Sequence, residues 1–523
     1  MNVNYLINRA SKEFPDHTAV IYRDVRRTFS ELDRRVNRFG NGLLKLGIKK
    51  GDRVGMLLNN CCEFIEIDLA LSKTGIVRVP LNARLTGSDH EYMLNDSASN
   101  TLIYGERFTE TVQAIQPSLR TVRKFIRISE GFSKENILGA LDYEDLINNS
   151  PPHEPRGDMK EDDLHTLFYT SGTTGKPKGA MLTQRSWANV AINLILDYGP
   201  VTEEDVILNT QPLSHGAGFF VLPYFIKGAT NVLIPEFKPS VVFETIEREK
   251  VTVLKLVPSM LYQLIEAPEK NQYDLSSLHS IIYGGSPIAA PRLVEAIHFF
   301  GKKLIQLYGQ AEAPMCISTL SKKDHLSEGP EDVVKRLSSA GKPCLNVEVR
   351  IVDENGKDMQ PGEVGEVIVR GYHIMKGYWN LPDATAEVLR DGWVHTGDLG
   401  YFDSKGYIFL VDRKRDVIIS GAFNIYPKEI EDVIVTHPRV KEVAVIGVPD
   451  EKWGEAVKAV VVPKKGVEVT EQEIIDYCRD HMASFKKPKT VEVVEKLPRN
   501  PYGKILKTVL REPYWKGFDR RIH

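Results

Sequence analysis

Residues 166–181 read Thr-Leu-Phe-Tyr-Thr-Ser-Gly-Thr-Thr-Gly-Lys-Pro-Lys-Gly-Ala-Met. The apolar lead-in Leu167, Phe168 and Tyr169 has strand character. It opens into hydroxyl residues and glycines from Thr170 to Gly175, closed by Lys176 and Lys178. Glycines let backbone N–H groups converge on an anion, hydroxyls add donors, and lysine adds charge. The pattern predicts a phosphate cradle. It is not a Walker A loop, which needs a glycine where Thr170 stands and a hydroxyl where Pro177 follows Lys176. A polar surface turn explains most Ser/Thr/Gly clusters, but two lysines behind a strand favour the anion reading here.

Composition narrows the class. A chain of 523 residues is too long for one ordinary core, and roughly three to four domain-sized units are expected. A net charge of −2 argues against a general nucleic-acid binder. The five cysteines, Cys61, Cys62, Cys316, Cys344 and Cys478, form no C-x-x-C pair and read as reduced thiols, not a disulfide frame or zinc site. No apolar run approaches the ~20 residues of a membrane span, and Met1–Asp16 lacks a signal-peptide core. A cytoplasmic protein is expected, with peripheral membrane contact left open.

Outward from the loop, the chain alternates helices and strands. Ser30 is read as the cap of a helix with Leu32, Val36, Phe39, Leu43 and Leu46 on one face, ended by Gly47 and followed by a strand at Arg53–Leu58. Similar alternation recurs in Val241–Val257, Pro291–Leu307 and Ile474–Val494, which favours parallel sheets covered by helices. The Pro- and acid-rich stretch Asn148–Asp163 reads as a surface connection. Around Asp412-Arg413-Lys414-Arg415-Asp416, charged residues interrupt two apolar strands. Beyond them a strand at Glu442–Val448, a helix at Glu471–His481 and a strand at Val491–Val494 suffice for a separate domain. The expected division is 1–412, a hinge at 413–416, and a C-terminal domain at 417–523.

Further segments follow the loop in a fixed order: Pro212-Leu213-Ser214-His215-Gly216-Ala217-Gly218, Tyr283-Gly284-Gly285-Ser286-Pro287 and Tyr308-Gly309-Gln310-Ala311-Glu312. Trp393-Val394-His395-Thr396-Gly397-Asp398, Asp412-Arg413 and Pro498-Arg499-Asn500-Pro501-Tyr502-Gly503-Lys504 complete the set. With the loop they resemble, over essentially the whole chain, the adenylate-forming superfamily of acyl-CoA ligases, luciferases and peptide-synthetase adenylation domains. The resemblance implies an α/β fold. It comprises a large N-terminal domain of α/β subdomains with largely parallel sheets and a β-barrel-like portion, and a small mobile α+β C-terminal domain.

It also implies roles. A carboxylate attacks the α-phosphorus of ATP to give acyl-AMP and pyrophosphate, and coenzyme A then takes the acyl group. Thr170, Ser171, Gly172, Thr173, Thr174 and Lys178 would hold the β- and γ-phosphates. Glu312 would ligate Mg2+, a hard cation that favours oxygen. Gly284, Gly285 and Ser286 would underlie the adenine, with Tyr308 stacked on it and Gly309, Gln310 and Ala311 alongside. Asp398 and Arg413 would take the ribose, and His215 would border the acyl pocket. Lys504 would neutralise charge in the transition state, and Gly421, Ala422 and Phe423 would meet the pantetheine arm of coenzyme A. Arg479, Lys486, Lys487 and Lys489 are candidates for its 3′-phosphate, beside the plainer reading of a solvated basic face.

The chain departs from the family pattern at Ala311, where a Thr hydroxyl is usual, and at Ala422, where Gly is usual. The first removes a hydrogen bond of roughly 0.5–1.5 kcal/mol; the second puts the thioester step in question. No carboxylate at 214–220 is available to pair with an amino-acid ammonium, which disfavours a peptide-synthetase role. Gly216–Leu222, Tyr224 and Ala313-Pro314-Met315 promise an apolar pocket wall, so a medium- or long-chain fatty acid is expected, with an aryl acid second. Alternatives are an adenylating enzyme with a carrier-protein acceptor and a catalytically impaired nucleotide-binding protein. A monomer and a homodimer are equally compatible with the sequence.

Overall fold

A computed structural model of the chain describes residues 2–131, 139–155, 157–170, 176–286, 288–421, 423–499 and 505–516. Two large sheets dominate the first 345 residues. In one, six neighbouring strands run parallel from Leu141–Asp142 to Leu164–Tyr169, and Gly179–Thr183 closes its edge antiparallel to Leu164–Tyr169. In the other, the parallel neighbours are Thr18–Tyr22, Thr230–Leu233, Val206–Asn209, Val253–Leu256, Ser280–Gly284 and Leu304–Tyr308. Parallel strands need helical crossovers that cover both faces, so Val253–Leu256 and Ser280–Gly284 are buried throughout. The α/β expectation holds.

Between the sheets lies a layer of helices, among them Phe29–Lys45, Cys62–Thr74, Gln184–Asp197 and Gly218–Phe225, whose buried side chains form one core with both sheets. The helix Phe29–Lys45 starts two residues earlier than a Ser30 cap requires. Thr28 caps it, its hydroxyl accepting from the Glu31 N–H while Glu31 reaches back to the Thr28 N–H. This reciprocal pair satisfies two orphan donors at once, more than Ser30 would.

A third sheet is antiparallel and comprises Glu348–Val352, Gly365–Arg370, Leu389–Arg390, Trp393–Phe402 and Ile408–Arg413; it is the portion expected to be barrel-like. The Lys414–Asp416 turn leads from it to a fourth sheet of Ile418–Ser420, Phe423–Ile425, Val440–Asp450, Gly454–Pro463 and Thr490–Val493, packed with three helices. The helix Lys507–Trp515 is tied to this turn by the Arg511–Asp416 ion pair, and its Lys507 lies 2.7 Å from Glu431 on the helix Pro427–Ile434. Among the described residues no helix is long and apolar enough to cross a membrane.

The carboxyl ends of the parallel strands are where such sheets present their loops to ligands. Gly284 closes one of them, and a Cβ there would lie 2.4 Å from the Leu307 carbonyl oxygen. Gly284→Ala is therefore expected to destabilise the chain by about 1–3 kcal/mol through overpacking. A urea midpoint equal to that of the wild type would contradict this close approach.

Candidate active site

The loop's flanks form a hairpin neck. Tyr169 pairs with Gly179, and the Thr170 N–H donates to the Lys178 carbonyl at 2.9 Å. Residues 374–379 lie along the outer edge of this hairpin: Met181 N–H donates to Gly377 O at 2.9 Å and Trp379 N–H to Gly179 O at 2.8 Å. Asp96 ties both pieces down, accepting from the Tyr169 hydroxyl at 2.6 Å on its carboxylate and from Trp379 Nε1 at 3.0 Å on its carbonyl. Ser171, Gly172, Thr173 and Thr174 themselves lie outside the described residues.

This edge pairing puts Tyr378 against the loop. The Lys178 ammonium sits 5.2 Å from the Tyr378 ring centre, and the Tyr378 hydroxyl donates to Glu312 Oε1. The Glu312 carbonyl in turn accepts from Met375 N–H at 2.8 Å. Glu312 projects from a tight reversal in which Gln310 N–H donates to Ala313 O at 3.1 Å and Met315 has φ +62. The reversal packs so closely on Gly309 that a Cβ there would lie 2.5 Å from Met315 N. Tyr378 therefore joins Lys178 to Glu312, a connection that no local sequence pattern announces. Its neighbours Gly377 and Trp379 carry no spacing signal that would have pointed to it.

Asp398 is the second centre. Gly397, at φ +67, and a register shift beside Leu399 twist its strand, and twist of this kind re-aims side chains. The buried Asp398 carboxylate accepts from the Tyr308 hydroxyl at 2.6 Å and from Gln310 Nε2 at 2.7 Å, and it pairs with Arg413 Nε at 3.1 Å. Arg413 stands directly opposite on the neighbouring strand. Burial and the Asp398 charge push the Tyr308 phenol well above its ordinary range, so it donates as a neutral hydroxyl. Tyr308, expected to lie flat beneath adenine, thus also anchors Asp398. Gly285 has φ +90, and Ser286 is exposed beyond it.

His215 stacks on Phe168 with ring centres 5.7 Å apart, on the strand that feeds the loop. Desolvation, with the charges of Lys255 and Arg84, lowers its pKa to about 4, so the imidazole is neutral near pH 7. Gly421 has φ +62 and donates its N–H to Trp453 O at 2.7 Å, while half-exposed Phe423 stacks on Phe485. Ala422 and Lys504 lie outside the described residues. Of the four candidate phosphate-binding cations, Arg479, Lys486 and Lys489 each pair with a carboxylate.

Residues 7–379 match the AMP-binding enzyme family, and residues 429–504 match the AMP-binding enzyme C-terminal domain. The chain belongs to this adenylate-forming family. The medium/long-chain-fatty-acid–CoA ligase FadD8 of Mycobacterium tuberculosis is 37% identical, over 99% of this chain and 91% of that protein. A feruloyl-CoA synthase of Amycolatopsis is 38% identical, over 97% and 98%. Among solved structures, the o-succinylbenzoate CoA synthetase of Bacillus subtilis in complex with its acyl-adenylate intermediate superposes with a TM-score of 0.84, at 33% identity and 98% coverage of both chains. This AMP-binding enzyme is accordingly an acid–thiol ligase that uses ATP, Mg2+ and coenzyme A.

The residues fit a magnesium ion brought in with nucleotide. Among the described residues no group of three or more His, Cys, Asp or Glu side chains could hold a metal unaided. A single carboxylate, Glu312, linked through Tyr378 to Lys178, matches Mg2+, which takes one or two carboxylates and completes its shell with waters and substrate phosphates.

Tyr378→Phe keeps the ring beneath Lys178 and removes the hydrogen bond to Glu312. A bond to a charged group is worth about 1.5–3 kcal/mol, so adenylate formation should fall roughly 10- to 100-fold, with a higher Mg2+ requirement. An unchanged rate and Mg2+ dependence would show that Glu312 needs no such positioning.

Proposed function

We propose that the enzyme activates a medium- or long-chain fatty acid to its acyl-adenylate and transfers the acyl group to coenzyme A. The observation that carries the site assignment is convergence. Lys178, Tyr378 and Glu312 form one contact chain, Tyr308, Gln310, Asp398 and Arg413 another, and the short reversal 308–312 joins them. These contacts support a reading in which anion binding, a magnesium ligand and a ribose acceptor stand side by side.

The chemistry follows from charge. The substrate carboxylate attacks the α-phosphorus and pyrophosphate departs, so two anions must be brought together; positioned cations and donors supply the stabilisation, and no protein nucleophile is needed. Lys178 and the loop Thr170–Thr174 hold the departing pyrophosphate. When bound, Mg2+ neutralises phosphate charge, with Glu312 as its protein ligand. Asp398 accepts the ribose hydroxyls on lone pairs left by Tyr308 and Gln310, and Arg413 donates to the ribose. Lys504 bridges the carboxylate and α-phosphate oxygens. In the second half-reaction the coenzyme A sulfur attacks the acyl carbon, the acyl–phosphate bond breaks, and AMP leaves.

The domain division also belongs to this reading: a unit at 417–523 turns about 413–416, exchanging Lys504 for the Gly421–Phe423 segment between half-reactions. Its support is that Lys414–Asp416 is a short turn between strands of different sheets. The fatty-acid reading rests on the wholly buried apolar helix Gly218–Phe225, since each buried methylene contributes about 0.8 kcal/mol. An aryl acid is the second reading, favoured by 38% identity to a feruloyl-CoA synthase beside 37% to a fatty-acid ligase.

Coenzyme A-dependent AMP release across aliphatic and aryl acids tests the reading. Medium- and long-chain acids should be the best substrates, and Lys504→Ala should slow acyl-adenylate formation by about 10²–10³-fold, the size of effect seen when a positioned transition-state group is removed. Failure of every acid, or an unimpaired Lys504→Ala variant, would overturn it.

A further inference from the structure

Several buried charges among the described residues meet an opposite charge. Lys73 lies 2.5 Å from Asp33 and donates to Asn37; Arg78 pairs with Asp68; Glu66 is met by Arg27 and Arg35. Each of these ions is matched by its opposite, as the low-dielectric interior demands. Lys255 departs from this pattern. It is 3% exposed, and its ammonium donates only to two neutral oxygens, Gln211 Oε1 and the Leu256 carbonyl, each at 3.2 Å. No ion pair to it occurs among the described residues. An ammonium has three N–H donors, so one is left over.

Its location gives that donor a meaning. Lys255 is carried by the strand Val253–Leu256, near the carboxyl ends of the parallel strands that also present His215, Gly284 and Tyr308. The Nζ is 5.7 Å from the Phe220 ring centre, on the helix read as the acyl-pocket wall, and its charge is felt at His215. Gly216 faces Met315 Cε and Gln211 Oε1, which would lie 3.6 and 3.9 Å from a Cβ built there. Gln211 Nε2, on the side chain that accepts from Lys255, is buried without a hydrogen-bond partner, as is Ser214 Oγ beside His215 in sequence. Unsatisfied buried donors gathered in an otherwise apolar wall are the signature of a site completed by its ligand. Burial alone lowers Lys255 to a pKa of about 7, consistent with an ammonium that lacks its counter-ion.

We infer that Lys255, with Gln211, forms a polar floor to the acyl pocket and selects carboxylic acids that carry a second oxygen acceptor on the acyl body, remote from the carboxylate that is activated. This deepens the ligase reading and rests on it. In this reading an apolar chain or ring would lie along the Gly218–Phe225 helix, and its distal oxygen would meet the spare N–H of Lys255. The acceptor is an anionic carboxylate, a ketone or a hydroxyl; all three present an oxygen lone pair, and a carboxylate would in addition restore charge balance.

Calorimetric binding of length-matched acids to the full-length protein separates these cases. The pairs compare an acid ending in methyl with one ending in carboxylate, ketone or hydroxyl. Wild type should bind at least one acceptor-bearing acid tenfold or more tightly than its methyl partner, and the preferred arm identifies the acceptor. Lys255→Met, which fills the same space without charge, should abolish that preference while leaving the methyl acids bound equally well or better. Lys255→Gln serves as the second variant should the first fail to fold; it should retain a neutral acceptor and lose a carboxylate. Absence of any preference in wild type overturns the inference. Equal weakening of all acids by Lys255→Met also overturns it, because the lysine would then hold the reacting carboxylate that every acid shares. Coenzyme A-dependent AMP release, measured in parallel, reports on the ligase reading separately. A binding preference without AMP release would sink that reading and leave the pocket assignment standing.

Discussion

The carboxylate of Asp398 holds the site together. It is buried, and it receives a tyrosine hydroxyl and a glutamine amide from the end of a parallel sheet and a guanidinium from the adjacent antiparallel strand. A buried carboxylate without such partners would be costly, so its charge fixes the third sheet against the second. The same contacts fix the direction in which residues 308–312 reverse, and with it the side of the cleft on which Glu312 emerges. Through Arg413 they reach the last residue before the Lys414–Asp416 turn. The Asp398 cluster and the Lys414–Asp416 turn are thereby parts of one electrostatic unit.

A second constraint is the shared hairpin edge. Backbone bonds from Met181 and Trp379 lock residues 374–379 onto the strand that follows the phosphate loop. Tyr378 is thereby pressed between a cation and a carboxylate. Its ring offers Lys178 a face, and its hydroxyl gives Glu312 a donor, so a single residue sets the spacing between that lysine and that carboxylate. Fully buried ion pairs elsewhere in the core do structural work of the same kind, which is why the solitary ammonium of Lys255 stands out.

Much of this was legible in the sequence where the signal is local. The apolar lead-in and twin lysines at 166–178, the helix at Glu471–His481 and the alternation of helices with parallel strands all follow from periodicity and turn chemistry. The Asp398 and Arg413 pair was legible through resemblance to a family, not through spacing. What escaped was non-local. Tyr308 and Asp398 are separated by 90 residues, and Tyr378 and Glu312 by 66; no short-range pattern announces that they meet. Lys255 reads in sequence as one polar residue in an apolar strand, and only burial without a carboxylate reveals its character. The helix start at Thr28 was missed for a smaller reason: Thr28 and Ser30 are both competent caps, and the reach of Glu31 decides between them.

Asp398→Asn tests the central claim most directly, because it keeps the side chain's shape and removes its charge. ATP affinity measured by calorimetry on the intact, cooperatively folding variant should fall by tenfold or more, since loss of the carboxylate frees Arg413 and withdraws the ribose acceptor. An affinity equal to that of the wild type would contradict the account and place the nucleotide elsewhere.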